Sequence, residues 1–144
     1  MRPHLHHVGV VVDDLEAAVR FFLAVGMRLE GRATVQDDWV DRVIGLEGAS
    51  SDVAMLETPD GHGRVELTRF RSPTALEGDS GAPANALGIR HIAIEVDGLD
   101  SVLGNLRGLG FGPVGEVERF EDVYRICYVR GPEGILIELA ERLG

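Results

Sequence analysis

Apolar positions along this chain follow two periods in turn. Residues 7–12, His7-Val8-Gly9-Val10-Val11-Val12, are mostly β-branched and apolar, which predicts a strand. Asp13 and Asp14 then offer a helix N-cap and negative charge at the positive end of a helix dipole. Leu15, Ala18, Val19, Phe22 and Val25 recur at helical spacing, and Gly26 suits the C-cap. Strand-like segments follow at 27–35, 52–58 and 64–70. The same order returns from His91. A strand runs to Val96, and Asp97 opens a helix with Val102, Leu103, Leu106 and Leu109 as its stripe. Gly110 ends it, and strand-like segments cover 112–119, 123–130 and 135–140. Both stripes read as core packing against a sheet. Gly104 and Gly108 each weaken the second helix by about 1 kcal/mol relative to Ala.

The return is an internal repeat. His7-Val8-Gly9-Val10 lines up with His91-Ile92-Ala93-Ile94, 84 positions on, and the register holds through Gly26 with Gly110 and Gly31 with Gly115. Near the ends of the halves, Pro59-Asp60-Gly61 precedes Val65-Glu66-Leu67, and Pro132-Glu133-Gly134 precedes Ile137-Glu138-Leu139, 72 positions on. Each half is therefore β-α-β-β-β, with those two turns closing hairpins. The predicted class is α+β, a single domain over 1–144. Module 1 covers about 4–70, a Pro/Gly/Ser/Ala-rich linker about 71–88, and module 2 about 89–141.

Charge narrows the partners. The net charge is −10 with a pI near 4.8, so nucleic acid and anionic membrane are disfavoured. No apolar run approaches the ~20 residues of a membrane span, and the start lacks a signal-peptide core, so a cytoplasmic location is expected. Cys127 is the only cysteine. Between Ile126 and Tyr128 it reads as a buried strand residue rather than a nucleophile.

The candidate chemistry lies where the repeat is most regular. His7 and His91 begin equivalent strands, and Glu66 and Glu138 lie in equivalent last strands. Side chains alternate along a strand, so each Glu points away from its apolar neighbours, Val65 and Leu67 or Ile137 and Leu139. A repeat that kept only structure would not need His and Glu at matched positions in both copies. Two imidazoles and two carboxylates suit one divalent ion, Ni, Co, Zn, Mn or Fe, with positions left open for water or substrate. His4, His6 and His62 are not expected to be ligands: His6 alternates away from His7, and His62 sits in a turn.

These residues also carry a family resemblance. Residues 5–15 around His6-His7-Val8-Gly9, then Arg64-Val65-Glu66-Leu67, residues 88–97 around Arg90-His91-Ile92, and Gly131-Pro132-Glu133-Gly134 running into Ile137-Glu138-Leu139 resemble the vicinal oxygen chelate superfamily, also called the glyoxalase/bleomycin resistance/dioxygenase superfamily. The resemblance implies paired βαβββ modules forming a curved, U-shaped mixed sheet around a metal. It places the ligands at His7, Glu66, His91 and Glu138. Glu at the second position resembles glyoxalase I enzymes, and methylmalonyl-CoA epimerases are similar with Gln there.

The implied activity is that of a divalent-metal-dependent isomerase or lyase, moving a proton next to a carbonyl through a metal-bound enediolate. Its substrate would resemble a lactoylglutathione-type adduct or an acyl-CoA. Glu138 is the first candidate base and Glu66 the second. Residues 36–51 read as either a lid or a surface helix, and they contain Trp39. Trp39, Arg125 and Tyr128 are candidate substrate contacts, with Tyr124 close by. Arg125 would either hold an anionic group or form a surface salt bridge. Members of this superfamily assemble their modules within one chain or across a dimer, and the matched apolar helices and sheet edges make a homodimer the expectation here. The alternatives are a small-molecule or antibiotic binding or resistance protein, and an Fe(II)-dependent dioxygenase.

Overall fold

The computed structural model describes residues 2–144. Its elements follow the order read from the repeat. Module 1 holds β1 (Val8–Val11), α1 (Leu15–Val25), β2 (Arg28–Val35), a short α2 (Asp38–Ile44), β3 (Ser50–Glu57) and β4 (Arg64–Ser72). Module 2 holds β5 (His91–Glu95), α3 (Leu99–Gly108), β6 (Glu118–Phe120), β7 (Tyr124–Arg130) and β8 (Leu136–Arg142), with one 3-10 turn at Pro132–Gly134. The class is α+β with tandem βαβββ modules. The chain divides into two compact units, one holding the residues up to Leu23 with Met27–Glu77 and the other Ala24–Gly26 with Gly78–Gly144.

Each module is a four-stranded mixed sheet, in the orders β1-β4-β3-β2 and β5-β8-β7-β6. The first strand of each pairs parallel with the last, and the remaining pairs are antiparallel. A parallel neighbour requires a crossover, and α1 or α3 provides it. In module 1 the alternation Val10, Val12, Ala54, Leu56, Val65 and Leu67 is buried. Ties from this face to the start of α1, Arg32 to Glu16 at 2.7 Å and Arg69 Nε to the Asp13 carbonyl at 3.0 Å, mark it as the helix side. Phe22, buried to 0% exposure, and Leu67, also 0%, each contribute about 1.5–3 kcal/mol of apolar burial. Module 2 repeats the arrangement with Ile94, Cys127, Val129, Ile137 and Leu139 on the helix side and Leu99, Val102, Leu103 and Leu106 on α3. Leu109, read as part of that stripe, is 41% exposed because α3 ends before it.

Two expectations change. The strand predicted at 112–119 shrinks to β6, with one isolated bridge between Pro113 and Val129 upstream of it. Pro113 has no N–H to give a ladder, and Gly112 and Gly115 favour a turning backbone. The Pro132-Glu133-Gly134 segment joins its strands through a 3-10 turn, with Glu133 at φ 57 and Gly134 at φ 75.

Candidate metal centre

Register explains how each His meets its Glu. In sheet 1, Gly9 pairs with Glu66, and His7 lies two residues earlier, just ahead of β1, with its ring brought up to the Glu66 carboxylate. Gly9 has no side chain, so nothing stands between them. In sheet 2, Ala93 pairs with Glu138 and His91 lies two residues earlier, so a small residue again leaves the space open. The result is the same in both modules: His7 Nε2 to Glu66 Oε2 is 3.7 Å, and His91 Nε2 to Glu138 Oε1 is 3.7 Å. All four side chains are a quarter to two-fifths exposed, and they point away from the helix side.

The donor set fits a divalent cation. Two ligands at about 2.1 Å from one ion stand about 3.0–3.5 Å apart, a few tenths of an ångström inside the observed 3.7 Å. Imidazole and carboxylate together suit borderline and hard divalent ions. Each module of one chain brings two donors together, and among the described residues no group of three or more His, Cys, Asp or Glu is gathered at metal-holding distance.

The imidazoles are held from behind. His6 Nδ1 lies 2.7 Å from His7 Nδ1, and with His7 Nδ1 as the donor His7 Nε2 keeps its lone pair for a ligand. The expectation that His6 alternates away does not hold, because residues 6 and 7 precede β1 and strand alternation does not govern them. In module 2 the Tyr128 hydroxyl stands 3.4 Å from His91 Nδ1, a long contact, with the rings 5.2 Å apart. Tyr128 also faces Glu138 across the ladder. Desolvation first, and then the Glu138 carboxylate, push its phenol above the ordinary value of 10.

The other candidates lie elsewhere. Arg125 alternates with Tyr128 onto the helix side, beside the buried Cys127 and Val129. Its guanidinium meets Asp100 at 3.0 Å and Glu141 at 3.3 Å, the salt-bridge alternative of the sequence reading. The hydrogen bond between them pushes Arg125 above its ordinary value and Asp100 below 3.8. Cys127 is buried, and burial raises its thiol. Trp39 is 59% exposed on α2, none of whose residues is buried. Residues 36–51 are ordered by Asp41, which accepts from the backbone N–H groups of Gly48 and Ala49. A cleft of about 790 Å³ opens at the start of α1, lined by Glu16, Arg32, Asp52 and Arg69 among others. Those charged side chains belong to the helix side, opposite His7 and Glu66, so the cleft is distinct from the His–Glu pair.

Comparisons with known proteins bear on the family and the fold. No curated protein matches the chain significantly. A glyoxalase family protein from Bacillus cereus superposes with TM-score 0.95 at 44% identity, covering 100% of this chain and 97% of that one. Two distant structures share the fold. Trypanothione-dependent glyoxalase I of Leishmania major has TM-score 0.65 at 20% identity over 97% of this chain and 87% of that one. A mutant of the fosfomycin resistance protein FosX from Listeria monocytogenes, complexed with Mn(II) and 1S,2S-dihydroxypropylphosphonic acid, has TM-score 0.61 at 16% identity over 96% of this chain and 90% of that one. A profile of the family matches residues 6–128. With tandem βαβββ modules, a matched His–Glu pair in each and a profile match over most of its length, the chain belongs to the Glyoxalase/Bleomycin resistance protein/Dioxygenase superfamily.

Proposed function

We propose that the protein is a divalent-metal-dependent isomerase or lyase of the glyoxalase type, which moves a proton on the carbon next to a carbonyl. The observation that carries this reading is the duplication of one His–Glu pair, at 3.7 Å in each module. His7, Glu66, His91 and Glu138 would hold the ion, Ni, Co, Zn, Mn or Fe. When bound, the ion supplies Lewis-acid polarisation of the carbonyl and stabilises the negative charge that develops on its oxygen.

The chain's own residues do the rest. Glu138 takes the proton from the carbon and returns it, as its carboxylate is partly open to solvent at 23% exposure. Glu66 is the alternative base, in the equivalent place. His6 and Tyr128 orient the imidazoles through their Nδ1 atoms, which keeps each Nε2 directed at the carboxylate beside it. The working unit is a homodimer in this reading. Light scattering should give twice the 15.6 kDa of one chain.

Metal analysis of untagged protein tests the reading first, with about one ion per four-residue set expected. Replacing Glu138 with Gln should then slow proton exchange roughly 10²–10⁴-fold while some metal stays bound. Stoichiometric metal with unchanged exchange would remove Glu138 as the base. Metal-free protein that still binds a small molecule would favour the binding or resistance class instead. Oxygen consumption dependent on Fe(II) would favour the dioxygenase class. No helix is long and apolar enough to cross a membrane among the described residues.

A further inference from the structure

The side of each sheet that carries the His–Glu pair is poor in free positive charge. The chain has no lysine, so every fixed cation is one of fourteen arginines. By strand alternation only four of them share the His–Glu side of a sheet: Arg28 and Arg64 in module 1, Arg130 and Arg142 in module 2. All four are engaged. Arg28 Nε donates to Glu57 at 3.0 Å, and Arg64 lies 3.5 Å from Glu30 and 4.0 Å from Glu57. Arg130 donates to the carbonyls of Ser80, Ala82 and Gly134. Arg142 pairs with Glu95 at 3.1 Å and covers the Tyr124 ring at 4.9 Å. The remaining ten lie on helices, on the helix side of a sheet, or outside the strands.

What the same sides do offer is apolar. In module 1 Val11, Val53, Met55 and Phe70 alternate onto the side of Glu66, and Val11 is 50% exposed. In module 2 Phe120, Tyr124, Ile126 and Tyr128 lie on the side of Glu138, and Phe120 is 55% exposed. The two carboxylates neutralise a divalent ion, so the set has no charge left over for an anionic ligand. The net charge of −10 would further repel one.

Resting on the function proposed above, we infer that the substrate is a compact, uncharged α-hydroxy ketone with a hydrocarbon or aromatic body. A glutathione-type adduct, a nucleotide-bearing acyl thioester or a phosphonate would find, among the described residues of these strand faces, only arginines already paired with a carboxylate or a carbonyl. The step is balanced within the substrate. As Glu138 takes the proton, the C–H electron pair becomes the new C=C bond and the carbonyl π pair moves onto its oxygen; when the proton returns to carbon, the C=C pair takes it and the oxygen pair re-forms the C=O bond.

The test uses full-length protein, metal-loaded and apo, with two probes. One is α-deuterated 2-hydroxyacetophenone, and the other is the hemithioacetal of methylglyoxal with glutathione. NMR follows proton exchange, and titration calorimetry follows binding independently of turnover. The uncharged ketone is expected to exchange, or to bind where neither probe exchanges, at least ~10-fold more favourably than the anionic adduct. Equal or reversed ranking overturns the inference, and so does failure of the ketone to bind at all. Adduct activity lost on replacing Arg90 with Met would overturn it with a reason, since the buried Arg90 Nε has no hydrogen-bond partner. Failure of the function itself reads differently, as absence of stoichiometric metal.

Discussion

Helix α3 starts without a side-chain cap of its own. Its N-cap is Gly98, at φ 68, which has no side chain to accept a hydrogen bond. The backbone N–H of Leu99 instead donates to Glu141 Oε2 at 2.7 Å, across 42 positions of sequence. Leu99 is 0% exposed, so water does not easily take over when the carboxylate is removed. A lost cap costs about 1 kcal/mol, and toward about 2 kcal/mol when the freed donor is buried. Removing a negative charge from the positive end of the helix adds about 0.5 kcal/mol. Glu141→Ala should therefore destabilise the protein by about 2 kcal/mol and lower Tm by roughly 6–8 °C. Urea unfolding followed by circular dichroism, extrapolated linearly, measures the difference. Glu141→Gln keeps an acceptor oxygen and loses the charge, together with its ion pair to Arg125, so it should cost about half as much. A Glu141→Ala change below about 0.5 kcal/mol would refute the remote cap, and equal costs for Ala and Gln would refute the hydrogen-bond part of it.

Other expectations follow from the same structure. Gly134 has φ +75, and a Cβ there would overlap the Ser80 carbonyl, so Gly134→Ala should loosen the segment held by Arg130. Faster limited proteolysis within 73–88 is the expected sign, and an unchanged cleavage pattern would contradict it. Leu106 is 0% exposed on α3, so Leu106→Ala should cost about 2–5 kcal/mol by thermal or urea unfolding; a loss under about 1 kcal/mol would mean that the site collapses onto itself. The pair of Arg125 with Asp100 should show in the pH dependence of stability. Arg125 holds the Asp100 carboxyl below 3.8, so the pair's contribution is present above that value and is lost as pH falls through the lower folded-state value. Arg125→Met should therefore be less stable than the native chain at neutral pH, and the gap should narrow under acid. A gap that widens as pH falls would give the wrong sign.

Much of the site was legible because it depends on short-range order. Alternation puts Glu66 and Glu138 opposite their apolar neighbours, and the repeat pairs each with a His two positions before its cross-strand partner. Gly9 and Ala93, the small residues at those partner positions, could have been read from the same alignment. Alternation also held the signal for Arg125, since it shares a side with Cys127 and Val129, but the sequence did not say which side faced the helix. The same rule failed for His6, because it was extended past the strand end, where backbone geometry no longer alternates.

Local periodicity fixed the order of elements, the βαβββ duplication and the two His–Glu sets, because each rests on contacts within a strand, a helix or one pair of neighbours. Tertiary structure alone decided that 112–119 is strand only at Glu118 and Arg119, the start of β6, since a strand exists only where a partner accepts its hydrogen bonds. It alone assigned Glu141 to the start of α3 and Arg130 to the carbonyls of Ser80 and Ala82. Those partners lie 42, 50 and 48 positions away, and a charged side chain gives no local sign of which distant backbone it will satisfy.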